Sequence, residues 1–367
     1  HVKYEETLKM KQNAVQSLVN KTLKNKLQIK ETVGMENPLH YRNKAQYPIG
    51  INKKGEPVIG VFANRTHEVI PIDNCLIQNK KSEEIAKFII EFIKEKNISI
   101  YDEKKGKGLV RHIVTKVGIK TGEIMCVIVI NGHKIPNENE LVENLKTRYP
   151  EIKAIVKNIN MKNTNVILGQ ENINLYGNGY IEDILGEYKF KISPLSFYQV
   201  NPVQAEKLYN LGVSMAEITK NDVVFDLYCG IGTISLFMSK FAKKVYGIEI
   251  VEEAVKMAKE NAQNNNVSNT EFFAGDVEIV LDDLINNKGL KADVVMFDPP
   301  RKGLDKKSID NILNIRPKKI VYISCNPATL IRDLADFENE YDIKTIIPVD
   351  MFPFTSHVEC VATLQLK

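Results

Sequence analysis

Apolar residues recur at helical spacing from Tyr4 to Leu23, where Leu8, Val15, Leu18 and Val19 stand among Lys and Glu, and they predict an amphipathic helix. Tyr47–Ile51 and Pro57–Phe62 then flank Asn52-Lys53-Lys54-Gly55, the composition of a hairpin turn. Ser82–Lys96 reads as a helix opened by a Ser N-cap, with Glu83 and Glu84 in its first turn. Leu109–Val117 and Glu123–Ile130 make a second hairpin pattern across Gly118-Ile119-Lys120-Thr121-Gly122. A helix near Asn139–Arg148 and several short strands up to Ile192 follow. Strands and helices mix here without β–α–β alternation, which predicts an α+β domain.

From about Ser193 the rhythm changes. After a helix near Pro202–Glu217, apolar runs at Val223–Leu227, Val245–Ile248, Thr270–Phe273, Val294–Phe297 and Ile320–Ile323 alternate with helical patterns. Those helices fall near Thr233–Lys240, Glu252–Asn264, Val277–Leu284, Lys306–Ile315 and Ala328–Phe337. Five such repeats predict a doubly wound parallel sheet buried on both faces, a Rossmann-like α/β domain. Ile343–Val349 and Val358–Gln365 close the chain as an antiparallel hairpin added to that sheet. The boundary is expected near residues 186–193, giving an α+β domain over 1–190 and an α/β domain over 191–367.

Composition adds little except through its distribution. Residues 1–190 carry 30 Lys and Arg against 22 Asp and Glu, whereas the rest carry 20 against 24. A basic first half on a mildly acidic second half suits a polyanion-gripping module joined to a small-molecule domain, and a solvated Lys-rich surface fits the same count. No apolar run reaches the 18 residues of a membrane span. Cys75, Cys126, Cys229, Cys325 and Cys360 are odd in number, scattered and without a CxxC pair. That pattern points to a reducing, cytoplasmic compartment, with no disulfide framework and no zinc site. Because the chain begins His1-Val2 without an initiator Met, a preceding piece is expected to be missing.

Candidate ligand chemistry begins at Asp226-Leu227-Tyr228-Cys229-Gly230-Ile231-Gly232-Thr233, a strand–turn–helix with glycines where a backbone must approach a ligand closely. Ser235 stands where a dinucleotide fingerprint has its third glycine, and no Walker Lys is present. Glu249 ends the second strand 23 positions after Asp226, placed to accept hydrogen bonds from both hydroxyls of a ribose. Asp276, after the third strand, could accept from an adenine amino group. Ribose and adenine without emphasis on phosphate favour S-adenosylmethionine; a dinucleotide or a purely structural glycine turn is the alternative.

Asp298-Pro299-Pro300-Arg301 follows the fourth strand, and ligands sit at the carboxyl ends of such strands. A rigid loop with a solvated Asp fits the same residues. Ser324-Cys325-Asn326-Pro327 ends the fifth strand and puts a thiol at the same rim, before a helix whose N-terminus would favour the thiolate. A small buried hydrophobe is the plain alternative.

The set DLYCGIGT, FDPPRKG, ISCNPATL and HVECVATL, preceded by SFYQVN, spans residues 197–364 and resembles the RNA 5-methyluridine methyltransferase family. SCNP combined with the terminal HVE is its most specific part, and the first half resembles the family's central RNA-binding domain more loosely. The resemblance implies a class I methyltransferase domain that uses S-adenosylmethionine to methylate carbon 5 of a uridine. It implies Cys325 as the nucleophile adding to carbon 6 and Glu359 as the base that removes the carbon 5 proton. Asp298 is implied as a contact to the uracil edge and to the cofactor site. Gln199, Tyr228, Gly230, Gly232, Glu249 and Asp276 are implied as cofactor contacts. A uridine in folded RNA would be flipped out to reach such a pocket, and binding would be salt-sensitive through the basic first half. Arg111 and His112 are weaker candidates for RNA contact.

The resemblance also implies two features not visible in the chain: an N-terminal OB-like domain, and in some members an iron–sulfur cluster. In cluster-bearing members three cysteines precede the stretch resembling His1-Val2-Lys3-Tyr4, and the fourth resembles Cys75. A cluster is therefore expected only in a longer native chain, with Cys75 as an orphan ligand here or else a plain thiol. Large-subunit (23S) ribosomal RNA is the expected target, transfer RNA the alternative, and a monomer the expected state. The rivals are a cytosine-5 RNA methyltransferase, which would need Pro-Cys where Asp298-Pro299-Pro300 stands, an amino-methylating enzyme, and an inactive RNA-binding module.

Overall fold

The computed structural model describes residues 2–63 and 65–367. Its backbone contacts separate two compact units, Leu39–Pro202 and a second made of His1–Pro38 with Val203–Lys367. This differs from the expected division at residue 190. The first 38 residues join the carboxyl-terminal unit, and the linker after Ile192 stays with the other.

In the Leu39–Pro202 unit, strands β1 (Lys44–Ile51), β2 (Pro57–Phe62), β3 (Val69–Pro71), β4 (Val110–Val117), β5 (Ile124–Ile130), β6 (Ile152–Ile159) and β7 (Glu171–Tyr176) form one sheet in the order β3-β2-β1-β4-β5-β6-β7. A separate hairpin joins β8 (Ile181–Leu185) to β9 (Tyr188–Ile192). The two hairpins expected from turn chemistry are present as the antiparallel pairs β1–β2 and β4–β5. One feature was not expected: β5 and β6 pair in parallel across helix Glu138–Arg148, a β–α–β unit within the otherwise antiparallel sheet. β4 and β5 are buried along their whole length, as the continuous apolar run of β5 implies, whereas β4 buries Arg111, His112, Thr115 and Lys116 among its apolar residues. Ile85, Ile89, Ile90 and Ile93 of helix Lys80–Glu95 pack on this sheet with Leu141 and Leu145. That helix starts a turn before its apolar period suggests. Asn79 caps it by accepting from Lys81 N at 2.9 Å, and Ser82, the expected cap, is buried inside it.

In the second unit, β10 (Val223–Leu227), β11 (Lys244–Glu249), β12 (Thr270–Ala274), β13 (Val294–Phe297), β14 (Lys319–Ser324), β15 (Tyr341–Val349) and β16 (Glu359–Leu366) form a sheet in the order β12-β11-β10-β13-β14-β16-β15. The first five pair in parallel, and β16 runs antiparallel between β14 and β15. The final hairpin therefore inserts its last strand next to β14 rather than hanging at the edge. The helix expected over Val277–Leu284 is α-helical only to Asp282 and continues as a π-turn over Asp283–Asn287.

Helix Tyr4–Thr22 packs against helix Pro327–Phe337, and Val15, Val19, Leu23 and Ile29 share one apolar core with Leu330, Leu334 and Phe337. Glu338 accepts from Lys24 N and Asn25 N at 3.1 and 3.0 Å just past the helix. The chain then runs beside β15, with Lys30 N donating to Ile346 O, Val33 N to Pro348 O and Asp350 N to Val33 O. These bonds cover the sheet's outer edge, the part of a sheet that most needs covering. An amphipathic period shows that one face is buried, not which partner buries it.

Candidate active site

The turn after β10 holds three residues at positive φ: Tyr228 at 65°, Gly230 at 54° and Gly232 at 79°. For Tyr228 this is a costly backbone state of the kind that persists where a site requires it. A Cβ placed on Gly230 would meet nothing within 4 Å, whereas one on Gly232 would press on Phe272 and Ala258 at 3.0–3.1 Å. Gly230 thus leaves an open face toward a ligand, and Gly232 lets the following helix close on the sheet. Ser235, in place of a third glycine, donates to Asp226, which is almost fully buried and pushed up to about 7 by that burial.

Glu249 accepts from Gly230 N at 3.1 Å through one oxygen and from Val251 N at 2.9 Å through the other. Each oxygen keeps a lone pair for a further donor. Asp276 caps helix Val277–Asp282 by accepting from Glu278 N at 2.9 Å and lies exposed. The hydroxyl of Tyr228 lies 3.4 Å from Ser308 Oγ, and burial raises its pKa. Beside Glu249 and Asp276 in the chain, Ile250 and Ile279 are 62% and 67% exposed, apolar faces of the kind an adenine ring covers. Neither carries a sequence signal of its own: Ile250 stands alone in a loop, and Ile279 lies exposed on the short helix Val277–Asp282. Carboxylates for a ribose and an amino group, apolar side chains and an open glycine together fit S-adenosylmethionine.

The neighbouring rim is built by register. Ser324 of β14 stands opposite Cys360 of β16, so one further step sets Cys325 across from Glu359. On the other side Phe297 of β13 pairs with Tyr322, which brings Asp298 to the same end of the sheet. Burial first, and the Asp298 carboxylate second, push Glu359 up to about 8. Burial likewise pushes Asp298 up to about 7, although one edge of it still reaches solvent. The half-buried Cys325 thiol is raised by burial and then by the Glu359 and Asp298 carboxylates. This is opposite to the thiolate-favouring surroundings expected at a helix start. The amide of Ala328 there is taken by the Asn326 side chain at 3.1 Å.

What opposes the two carboxylates is Arg301. Its guanidinium lowers the pKa of both Cys325 and Glu359. Its carbonyl accepts from Asn326 Nδ2 at 3.1 Å, tying the Asp-Pro-Pro-Arg loop to the thiol's own turn. In the sequence Arg301 stands out only as part of the Asp-Pro-Pro-Arg motif. The signal that could have found it is the need for a cation beside a thiol flanked by acids.

The remaining candidates lie in the other unit. Gln199 is half-buried, and its loop is held by Asn43, which donates to Gln199 O at 3.1 Å and Val200 O at 2.9 Å. Phe197, two residues earlier, is 73% exposed, an aromatic face that sequence reading did not single out. Arg111 and His112 are both 4% exposed; Arg111 donates to Asn160 O and Lys162 O and stacks on Tyr101. Both are thereby withdrawn from contact with a surface polyanion. Cys75 is half-buried on a turn whose N–H Glu83 accepts at 2.9 Å. Among the described residues no three His, Cys, Asp or Glu gather as a metal site, so Cys75 does not by itself fit an iron–sulfur cluster. His1, in the stretch compared with cluster-bearing relatives, lies outside the described residues. No helix among the described residues is long and apolar enough to cross a membrane.

A doubly wound sheet with this turn and these carboxylates defines a Rossmann-like S-adenosylmethionine-dependent methyltransferase. The profile of the tRNA (uracil-5-)-methyltransferases matches residues 3–367. An uncharacterized RNA methyltransferase of Clostridium acetobutylicum is 48% identical, over 100% of this chain and 80% of the relative. One from Staphylococcus aureus is 45% identical, over 100% and 81%. Among solved structures, the Pyrococcus abyssi tRNA (uracil-54, C5)-methyltransferase in complex with S-adenosyl-L-homocysteine superposes with a TM-score of 0.80 at 28% identity, over 99% of this chain and 84% of that one. The chain belongs to the tRNA (uracil-5-)-methyltransferase family, and it is an S-adenosylmethionine-dependent RNA (uracil-5-)-methyltransferase.

Proposed function

We propose that the enzyme methylates carbon 5 of one uridine through a transient bond between Cys325 and carbon 6 of the ring. The observation that carries this is the register that lines up Cys325, Glu359 and Asp298 at one end of three adjacent strands. S-adenosylmethionine supplies an electrophilic methyl group on a sulfonium centre. Arg301 stabilises the Cys325 thiolate against the two carboxylates until it adds to carbon 6, making carbon 5 nucleophilic. After methyl transfer, Glu359 takes the carbon 5 proton, the carbon 6–sulfur bond breaks and the thiolate returns. A carboxylate whose proton affinity burial has raised to about 8 is a stronger base than an exposed one. Asp298 hydrogen-bonds the uracil edge. Tyr228, Gly230, Gly232, Glu249 and Asp276 hold the cofactor, and the exposed ring of Phe197 offers a face to a nucleobase.

The Leu39–Pro202 unit is the proposed RNA-binding module. It carries 24 Lys and Arg against 18 Asp and Glu, and its grip should weaken with salt. Large-subunit (23S) ribosomal RNA, in the cytoplasm, is the target proposed from the Cys75 segment's resemblance to cluster-bearing relatives. The whole-chain likeness to a tRNA (uracil-54) enzyme favours transfer RNA as a second reading. RNA labelled with tritium at uracil carbon 5 tests the chemistry, because release of label in step with methylation is expected and methylation with full retention would refute it. Mapping 5-methyluridine in both RNAs of a deletion strain decides the target.

A further inference from the structure

The loop between β15 and β16 leads directly into Glu359, and it is held from outside the sheet. Val349, its last strand residue, pairs with Glu359 itself. Asp350 follows, fully buried, and every polar group it has is engaged. Its carboxylate accepts from Lys11 Nζ at 2.5 Å and from the Tyr4 hydroxyl at 2.8 Å. Its N–H donates to Val33 O, and its carbonyl accepts from Gln204 Nε2 at 3.1 Å. Lys11 also donates to Phe352 O at 3.1 Å, and the Tyr4 ring lies 5.8 Å from that of Phe354. Both Lys11 and Asp350 are buried, in the first three turns of one helix and at the root of one loop.

A buried ion pair is a poor way to gain stability, since apolar residues of the same volume do as well, and its better-attested use is to fix one geometry. The geometry fixed here is that of the strand pair carrying the base. We propose that Lys11 and Tyr4, acting through Asp350, are positioning residues that hold Glu359 at the distance needed to take the carbon 5 proton. This rests on the assignment of Glu359 as the base. If the brace loosens, the thiol still adds and the methyl group still transfers. The step that slows is the one in which the proton passes to the Glu359 carboxylate and the carbon–sulfur bond breaks. Enzyme should then collect as a methylated covalent adduct with ordinary, unfluorinated RNA.

The test compares Tyr4→Phe, Lys11→Met, Asp350→Asn and Glu359→Gln with the parent enzyme. It uses steady-state kinetics, thermal melting and denaturing gels that show protein bound to RNA. Tyr4→Phe keeps the ring on Phe354 and loses only the hydroxyl, so it guards against variants that merely fail to fold. Lys11→Met and Asp350→Asn should lower kcat roughly 10-fold, and Tyr4→Phe roughly 3-fold, with KM for RNA within about 2-fold. All three should show adduct on the gel, as Glu359→Gln should. If Glu359→Gln traps adduct while the three brace variants turn over normally, or lose activity only as folded protein is lost, the positioning role is refuted and the base assignment stands. If Glu359→Gln itself traps none, the base assignment fails and takes the brace with it.

Discussion

The two halves of one strand rim treat their carboxylates in opposite ways. On the side of β10, β11 and β12, Glu249 and Asp276 reach solvent, Glu249 accepting two backbone N–H groups and Asp276 one. On the side of β13, β14 and β16, Asp298 and Glu359 are desolvated and pushed up to about 7 and 8. The first arrangement suits binding: acceptors fixed in direction, whose job is unchanged through turnover. The second suits proton transfer, where the group must change state near working pH. On the proposed roles, one sheet separates holding a nucleoside from reacting with a base by desolvation first and by setting Glu359 against Asp298 second, with the same side-chain chemistry in both halves.

Removing the sulfur is the harshest way to break this contrast. Cys325→Ala should lower kcat by more than about 1,000-fold while cofactor binding by calorimetry stays within about 2-fold. Glu359→Gln should cost roughly 100-fold or more in kcat, with adduct accumulating rather than failing to form. On the other side, Glu249→Gln or Asp276→Asn should raise KM for S-adenosylmethionine roughly 10-fold and leave kcat at saturation within about 3-fold. If either binding-side variant lost kcat instead, the division between halves would be wrong.

Two pH experiments sharpen the comparison at smaller amplitude. On the proposed roles turnover needs Glu359 ionised and Cys325 as thiolate, so kcat/KM, which reports the groups of the free enzyme, should climb with pH through about 8 and go on rising as the raised Cys325 thiol ionises. Stability runs the other way. The folded value of Glu359, about 8, lies above its ordinary 4.5, so between these limits the folded state holds the extra proton. Its contribution is fully present below the ordinary value and is lost as pH rises through the folded one. The melting temperature of the parent should therefore fall more between pH 5 and pH 9 than that of Glu359→Gln, by a few degrees.

Much of this was legible in the sequence wherever chemistry and period coincide. The alternation from Val223 to Phe337 fixed the parallel sheet, because continuous apolar runs between glycine turns admit few other folds. The residues at its rim could be named because they sit at strand ends. What stayed hidden depends on contacts across long separations. The first helix looked like part of a leading domain, but its buried face meets Leu330 and Phe337 some 300 residues away. The β–α–β unit at β5 and β6 was hidden because a parallel neighbour leaves no turn signature. Arg301 and the Asp350 brace are electrostatic partnerships, which no periodicity encodes. The direction of the Cys325 shift is hidden for the same reason: the helix start and both acids can be named from sequence, but the burial that comes first in raising the thiol cannot.

The most direct test uses RNA carrying 5-fluorouridine, incubated with enzyme and S-adenosylmethionine, digested and analysed by peptide mass spectrometry. Fluorine cannot leave as a proton, so elimination is blocked. A methylated fluorouridine bonded to the peptide containing Cys325 is the predicted product, absent from Cys325→Ala. A methylated RNA with no attached peptide, or one attached through another cysteine, would contradict the account.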